Sequence, residues 1–421
     1  MNAETAPLLH SVSALIRAFQ RVSAANAFLV LFGATVASAQ ASFRLPNPSG
    51  PFAIGTTSFV VQRKAPEAAP LVVVAWYPAS DSTGLTRSPY LREEAALRQM
   101  AAFGRNPAAS VLQHSGVVTH SWLDASVRRS PRRLPVLIFS HGYLGMPSDY
   151  TALMEDLASH GFAVFSIAHT GESMAVSLPD GRTELLFTRE NQLVPLARGV
   201  LGEWTAEDSI SAVVISTTVP GRAEETLRWY LARIPNSTAA LDRWVEDTRL
   251  VVDELARLVR RPDARFAGRL HLTRLGAFGH SMGGVASAAF CARDRRCDAA
   301  INLDGSPQYG DLIDQPSRRP FLMVYSSRVF RIGVSDPIYR RGRVYWQAIL
   351  EKSLHLNFGD WQYWQPPARM NGALGVIDGV KSGEIVSRLV RDFFSAYLDG
   401  TRPALFRGEK VFDELTVRRL R

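Results

Sequence analysis

Short apolar runs recur along the chain at 56–62, 71–77, 135–140, 162–168, 272–278, 298–303 and 320–325. Each is too short for a buried helix and long enough for a buried strand. From residue 135 onward the runs alternate with stretches of helical spacing, notably 148–160, 240–260 and 384–398. Strands separated by helices predict an α/β fold, with a mainly parallel sheet covered on both faces. No internal repeat or low-complexity tract interrupts this order.

The length of 421 residues exceeds one average domain, but 46% hydrophobic residues can fill one large core. The expected organisation is a single domain over 40–421 that carries an insertion at about 174–236. The insertion leaves a strand near His169-Thr170-Gly171 and rejoins the fold near Trp244, so it is expected to lie over the site as a cap that excludes water and shapes the pocket. The net charge of +9 is carried almost wholly by arginine, with only four lysines. The arginines are scattered pairs such as Arg128-Arg129 and Arg260-Arg261, which reads as a solvated surface. Attraction to anionic phospholipid, and with it peripheral membrane contact, is the sharper alternative. No nucleic-acid-binding motif is present.

The chemistry is carried by Gly279-His280-Ser281-Met282-Gly283, which follows the apolar run Leu275–Phe278 and precedes the small-residue stretch 285–290. Gly-x-Ser-x-Gly between a strand and a helix describes a strained turn, in which the flanking glycines remove Cβ atoms that would clash. This is the nucleophile elbow of α/β-hydrolases, and it makes Ser281 the candidate nucleophile.

A serine hydroxyl needs a histidine to take its proton and a carboxylate to orient that histidine. In α/β-hydrolases the order along the chain is Ser, acid, His, and of nine histidines only His355 follows Ser281. The acid is more open: Asp294, Asp298, Asp304, Asp311, Asp314, Asp336 and Glu351 all lie between them. Asp304 stands out because it ends the apolar run 299–303, at the carboxyl end of a strand, where open α/β sheets gather their ligands. Asp336, in the loop after the next strand, is the rival. For the oxyanion, one donor is expected at the Met282 N–H. The second is expected from the loop His141-Gly142-Tyr143-Leu144-Gly145 after the strand 135–140, at Tyr143 or Leu144.

These segments carry a family resemblance. Phe-Ser-His-Gly at 139–142, Asp-Leu-Ala-Ser-His-Gly-Phe at 156–162, Gly-His-Ser-Met-Gly-Gly at 279–284, Asn-Leu-Asp at 302–304 and His-Leu-Asn-Phe-Gly-Asp at 355–360 together resemble the platelet-activating-factor acetylhydrolases of plasma and bacteria. The resemblance extends over about 55–400. It implies an α/β-hydrolase with a Ser281, Asp304 and His355 triad and oxyanion donors at Tyr143 and Met282. The substrate it implies is a short-chain or oxidised phospholipid-type ester, or another small carboxylic ester. Relatives often carry leucine and phenylalanine at those two donor positions, a departure that leaves the chemistry intact and the substrate open. An acyltransferase, or a binding protein on the same scaffold, are the alternatives.

Arg17 and Arg21 precede the apolar run 27–36, which ends in Ala37-Ser38-Ala39. That is the layout of a signal peptide over 1–39, and it predicts a periplasmic or secreted protein, with an uncleaved membrane anchor as the lesser alternative. Cys291 and Cys297 suit an oxidising compartment, where a disulfide between them would tie the end of the elbow helix to the start of the Asp304 strand. Two cysteines without matching histidines do not suggest a zinc site, and no metal or organic cofactor is expected. Trp346, Trp361, Tyr363 and Trp364 flank His355, either as walls of the pocket or as core.

Overall fold

The computed structural model describes residues 43–65, 68–104, 107–129, 132–305, 310–328, 330–364 and 372–421. The expected signal peptide at 1–39 lies outside these described residues. An eleven-stranded sheet organises the chain, in the order β13-β12-β11-β10-β9-β5-β6-β2-β1-β4-β3. The strands are β1 (Ile54–Val61), β2 (Leu71–Pro78), β3 (Arg87–Pro89), β4 (Val118–Leu123), β5 (Leu134–Ser140), β6 (Ala163–Ala168), β9 (Leu270–His280), β10 (Ala299–Leu303), β11 (Phe321–Ser326), β12 (Tyr345–Leu350) and β13 (Leu415–Arg419). A separate hairpin pairs β7 (Ala175–Ser177) with β8 (Thr183–Leu185). The six central strands, β12 through β6 in that order, run parallel, while β2 and β13 close them off antiparallel.

Parallel strands buried on both faces read as continuous apolar runs, which is why 135–140, 272–278, 298–303 and 320–325 were legible as strands. Successive side chains serve opposite faces: Val136 and Ile138 join one core with Leu275 and Ala277, whereas Leu137 and Phe139 join the other with Phe278, Ile301 and Leu303. The long helix Pro235–Arg260 and the elbow helix Met282–Arg293 cover the first face, through Trp244, Val251, Leu255, Val285 and Ala289. Helices Thr151–Ser159 and Gly379–Leu398 cover the second, through Leu153, Leu157, Ile385, Leu389 and Phe393.

The insertion forms the β7–β8 hairpin and three short helices, Pro195–Glu203, Glu207–Ser216 and Arg222–Leu231. The apolar stretch 212–215 is helical. The insertion is anchored at two places near the carboxyl ends of the central strands. Trp204 packs edge-on against Tyr143, with ring centroids 5.5 Å apart, and Arg331 pairs with Glu207 and Asp208 at 2.9 Å each. Among the described residues no helix is long and apolar enough to cross a membrane.

Candidate active site

β9 delivers its last residue, His280, straight into Ser281, which stands at φ 55°, ψ −127° before the helix Met282–Arg293 begins. A serine at positive φ stores strain of order 1–3 kcal/mol, tolerated only where the surroundings fix it. Here they do: the Ser281 N–H donates to the Leu303 carbonyl at 2.8 Å, and the glycines let backbones meet. A Cβ on Gly283 would run into the carbonyl oxygens of Ser140 and His141, so only glycine lets the elbow helix start against β5.

Asp304 leaves β10 at φ 57°, in a turn closed by Asn302. The Asn302 side chain accepts from the Gly305 N–H at 2.7 Å and donates to the Gly305 carbonyl at 2.8 Å. The Asp304 carboxylate then accepts from the Ser326 N–H at 2.7 Å and lies 2.8 Å from His355 Nδ1. Burial works to raise this carboxyl, but His355, the Ser326 N–H and Arg328 outweigh it and hold it below the ordinary carboxylate value.

His355 opens a single 3₁₀ turn, His355–Phe358, a few residues beyond β12. Buried Asn357 pins that turn by accepting from the Leu354 and Gly375 N–H groups at 2.8 Å each. Asp360 ties the following turn to the Ala152 N–H. The polar residues of the His-Leu-Asn-Phe-Gly-Asp segment thus fix the loop that carries the histidine. The His355 ring stands 4.4 Å from that of His280 between centroids, and its side chain is 23% exposed, so it stays within reach of solvent and substrate.

The loop after β5 lies against the elbow: a Cβ on Gly142 would sit 3.4 Å from Ser281 Cβ. His141 Nδ1 donates to the Gly142 carbonyl at 2.6 Å, and Ser173 Oγ is 2.7 Å from His141 Nε2. Burial, with His169 nearby, pushes the His141 imidazole down to about 3, which keeps it neutral and leaves Nε2 free to accept. The Leu144 N–H is committed to the Glu172 carbonyl at 3.2 Å. Among the described residues no acceptor engages the N–H of Tyr143 or of Met282.

The structure therefore brings Asp304 and His355 into a hydrogen bond and places Ser281, Tyr143 and Met282 around the same elbow. It does not give Ser281 Oγ a hydrogen bond to His355. Such contacts are often loose without substrate and tighten in the complex. Asp336 is engaged elsewhere: its carboxylate accepts from the Tyr345 hydroxyl at 2.7 Å, the Tyr325 hydroxyl at 3.2 Å and Gln347 Nε2 at 3.0 Å. Trp346 is core and not pocket wall, with its indole N–H on the Tyr397 hydroxyl and its ring against Phe406. Trp361 does approach the site, 6.2 Å from His280 between centroids. Cys291 and Cys297 are joined by a disulfide, with Cα atoms 5.0 Å apart. Among the described residues no group of three His, Cys, Asp or Glu side chains converges as a metal-ligand set.

Sequence reasoning missed what His280 does, because the residue between glycine and serine is unspecified in the motif. The Arg331 pairing with Glu207 and Asp208 spans more than 120 positions and leaves no local signal.

Residues 37–194 match the family model of platelet-activating factor acetylhydrolase, isoform II. That stretch holds the loop 141–145 after β5 and ends before the elbow. The platelet-activating factor acetylhydrolase of Gallus gallus is 22% identical over 301 residues, covering 69% of this chain and 67% of that protein. The solved ferulic acid esterase from Streptomyces cinnamoneus superposes with a TM-score of 0.64 at 24% identity, covering 90% of this chain and 99% of that one. The chain is thus similar to the platelet-activating factor acetylhydrolases in sequence, and its fold is that of the α/β-hydrolases.

Proposed function

We propose that the chain hydrolyses esters through a Ser281, His355 and Asp304 triad. The observation that carries this reading is the 2.8 Å contact between Asp304 and His355 Nδ1, set beside a serine held in a strained elbow. Asp304 keeps the proton of the neutral imidazole on Nδ1, so that Nε2 can take the Ser281 proton as Oγ attacks the ester carbonyl. The Tyr143 and Met282 N–H groups receive the oxyanion. The imidazolium then protonates the leaving alcohol, and the acyl-enzyme is hydrolysed by water that His355 activates. The proposed substrate is a short-chain or oxidised phospholipid-type ester, or another small carboxylic ester, by likeness to the acetylhydrolases. The insertion is proposed as the cap of this site, and export as the fate of the chain, in keeping with its signal-peptide-like leader and paired cysteines.

The test is hydrolysis of p-nitrophenyl esters, acetate through palmitate, by the purified protein beside Ser281→Ala. Activity on the short esters that vanishes in the variant is expected, and its fall-off with chain length sizes the acyl pocket. A folded protein inert on every ester, or a Ser281→Ala variant that keeps its activity, would overturn the proposal.

A further inference from the structure

His280 is 1% exposed, yet both of its ring nitrogens are engaged. Nδ1 lies 2.9 Å from the hydroxyl of Tyr150, and Nε2 lies 2.9 Å from the carbonyl oxygen of His355. The Tyr150 hydroxyl also accepts from the Gly142 N–H at 3.0 Å. One chain of hydrogen bonds therefore runs from the oxyanion loop, through Tyr150 and His280, to the backbone of His355. It runs through the residue that precedes Ser281 and starts at Gly142, where an added Cβ would sit 3.4 Å from Ser281 Cβ.

Proton accounting fixes the direction of every link. The His355 carbonyl can only accept, so His280 Nε2 carries the hydrogen. The Gly142 N–H can only donate, so the Tyr150 oxygen accepts there and its own proton points to His280 Nδ1, which must be bare. All donors and acceptors in the chain are satisfied only with His280 neutral. Burial, reinforced by His355, holds its titration well below the ordinary histidine value. A neutral His280 matters during turnover, because His355 becomes a cation 4.4 Å away between ring centroids, and a charged neighbour would oppose that step. The two side chains are also locked by packing. Tyr150 lies 4.7 Å from Phe139 and 5.5 Å from Trp361, and His280 lies 5.9 Å from Phe358, between ring centroids.

We infer that Tyr150 and His280 are positioning residues for the ester hydrolysis, a single strut that sets the spacing between the oxyanion loop and His355 across the nucleophile. The inference rests on the reading of Ser281 as nucleophile. An error of about 1 Å at either end would weaken oxyanion binding or base alignment, effects confined to the transition state, so the loss should fall on kcat.

The experiment is steady-state hydrolysis of p-nitrophenyl acetate by the full-length protein and by Tyr150→Phe, His280→Phe, the double variant and Ser281→Ala. Tyr150→Phe keeps the packed ring and removes only the hydroxyl. It should lower kcat roughly ten-fold with KM changed less than about two-fold. The double variant should be no slower than His280→Phe alone, because both changes cut one chain. Wild-type kcat in Tyr150→Phe, a change confined to KM, or losses that multiply in the double variant would overturn the inference. If His280→Phe does not fold, Tyr150→Phe is assayed against a trifluoromethyl ketone that forms a serine adduct. Its affinity should fall by the same factor as kcat/KM, and an unchanged affinity would overturn the strut. Activity remaining in Ser281→Ala would instead sink the serine-esterase reading on which the strut depends.

Discussion

Asp336 accepts a hydrogen bond from the Tyr345 hydroxyl at 2.7 Å, and that contact separates the two aspartates that sequence order left in competition for His355. Asp336 serves as a half-buried acceptor for Tyr325, Tyr345 and Gln347, whereas Asp304 meets His355 Nδ1. Replacing each by asparagine should produce opposite signatures. Asp304→Asn places an amide beside Nδ1 that can favour the wrong imidazole tautomer, and kcat should drop roughly 10³–10⁴-fold with modest loss of stability. Asp336→Asn turns one acceptor oxygen into a donor among donors. It should cost about 1–3 kcal/mol of stability, read as a lower Tm, while kcat stays within about three-fold of wild type. The reverse pattern would transfer the acid role to Asp336.

His355→Ala removes the proposed base together with the ring that packs on His280, but it leaves the backbone carbonyl that His280 Nε2 uses. The fold should survive, with circular dichroism unchanged, and kcat on p-nitrophenyl acetate should fall at least about 10³-fold. Near-full activity in a folded His355→Ala protein would remove it from the triad.

What was legible in the sequence was what local chemistry dictates. The central strands show because both faces are buried, which demands uninterrupted apolar runs. The elbow shows because only glycine lets the backbone at 283 meet the carbonyls of Ser140 and His141. β12 was missed because Tyr345-Trp346-Gln347-Ala348-Ile349-Leu350 carries a buried glutamine, whose amide is satisfied by Asp336 from another element. The edge strand β13, Leu415-Thr416-Val417-Arg418-Arg419, is half polar and reads as a tail until β12 supplies its partner. That the Leu144 N–H is taken by the Glu172 carbonyl was not legible either, because Glu172 lies in a loop that no spacing rule connects to residue 144.

The buried carboxyl of Asp149 gives a pH prediction. Burial, opposed by the Met146 N–H and assisted by Glu93, raises it from 3.8 to about 8. The folded state therefore holds one proton that the unfolded chain has lost between those values. Stability from this group is greatest below about pH 4, declines as pH rises towards 8, and levels off above. Asp149→Asn keeps an oxygen for the Met146 N–H, which Asp149 Oδ2 now accepts at 2.8 Å, and removes the titration. Urea unfolding at pH 5 and pH 8 should show a smaller difference in the variant than in the wild type. An identical difference in the two proteins would assign the slope to other groups.

The last prediction concerns how the insertion is held. Arg331 is 7% exposed at its side chain and pairs with Glu207, 8% exposed, and with Asp208, so the ion pair is desolvated on both sides. Burial favours a neutral Glu207, and Arg331 opposes that tendency. Two charges so buried contribute little net stability against apolar replacements, but removal of one strands the other. Arg331→Met should therefore cost about 3–5 kcal/mol, and the loss should be local to the seam between the helix Glu207–Ser216 and the loop after β11. Limited proteolysis should then cut within 195–235 faster than in the wild type, while the elbow helix stays protected. Arg331→Met combined with Glu207→Gln removes the stranded charge and should recover part of the loss. If the single variant melts like wild type and resists the protease equally, the insertion is held by its apolar contacts, Trp204 on Tyr143 first among them.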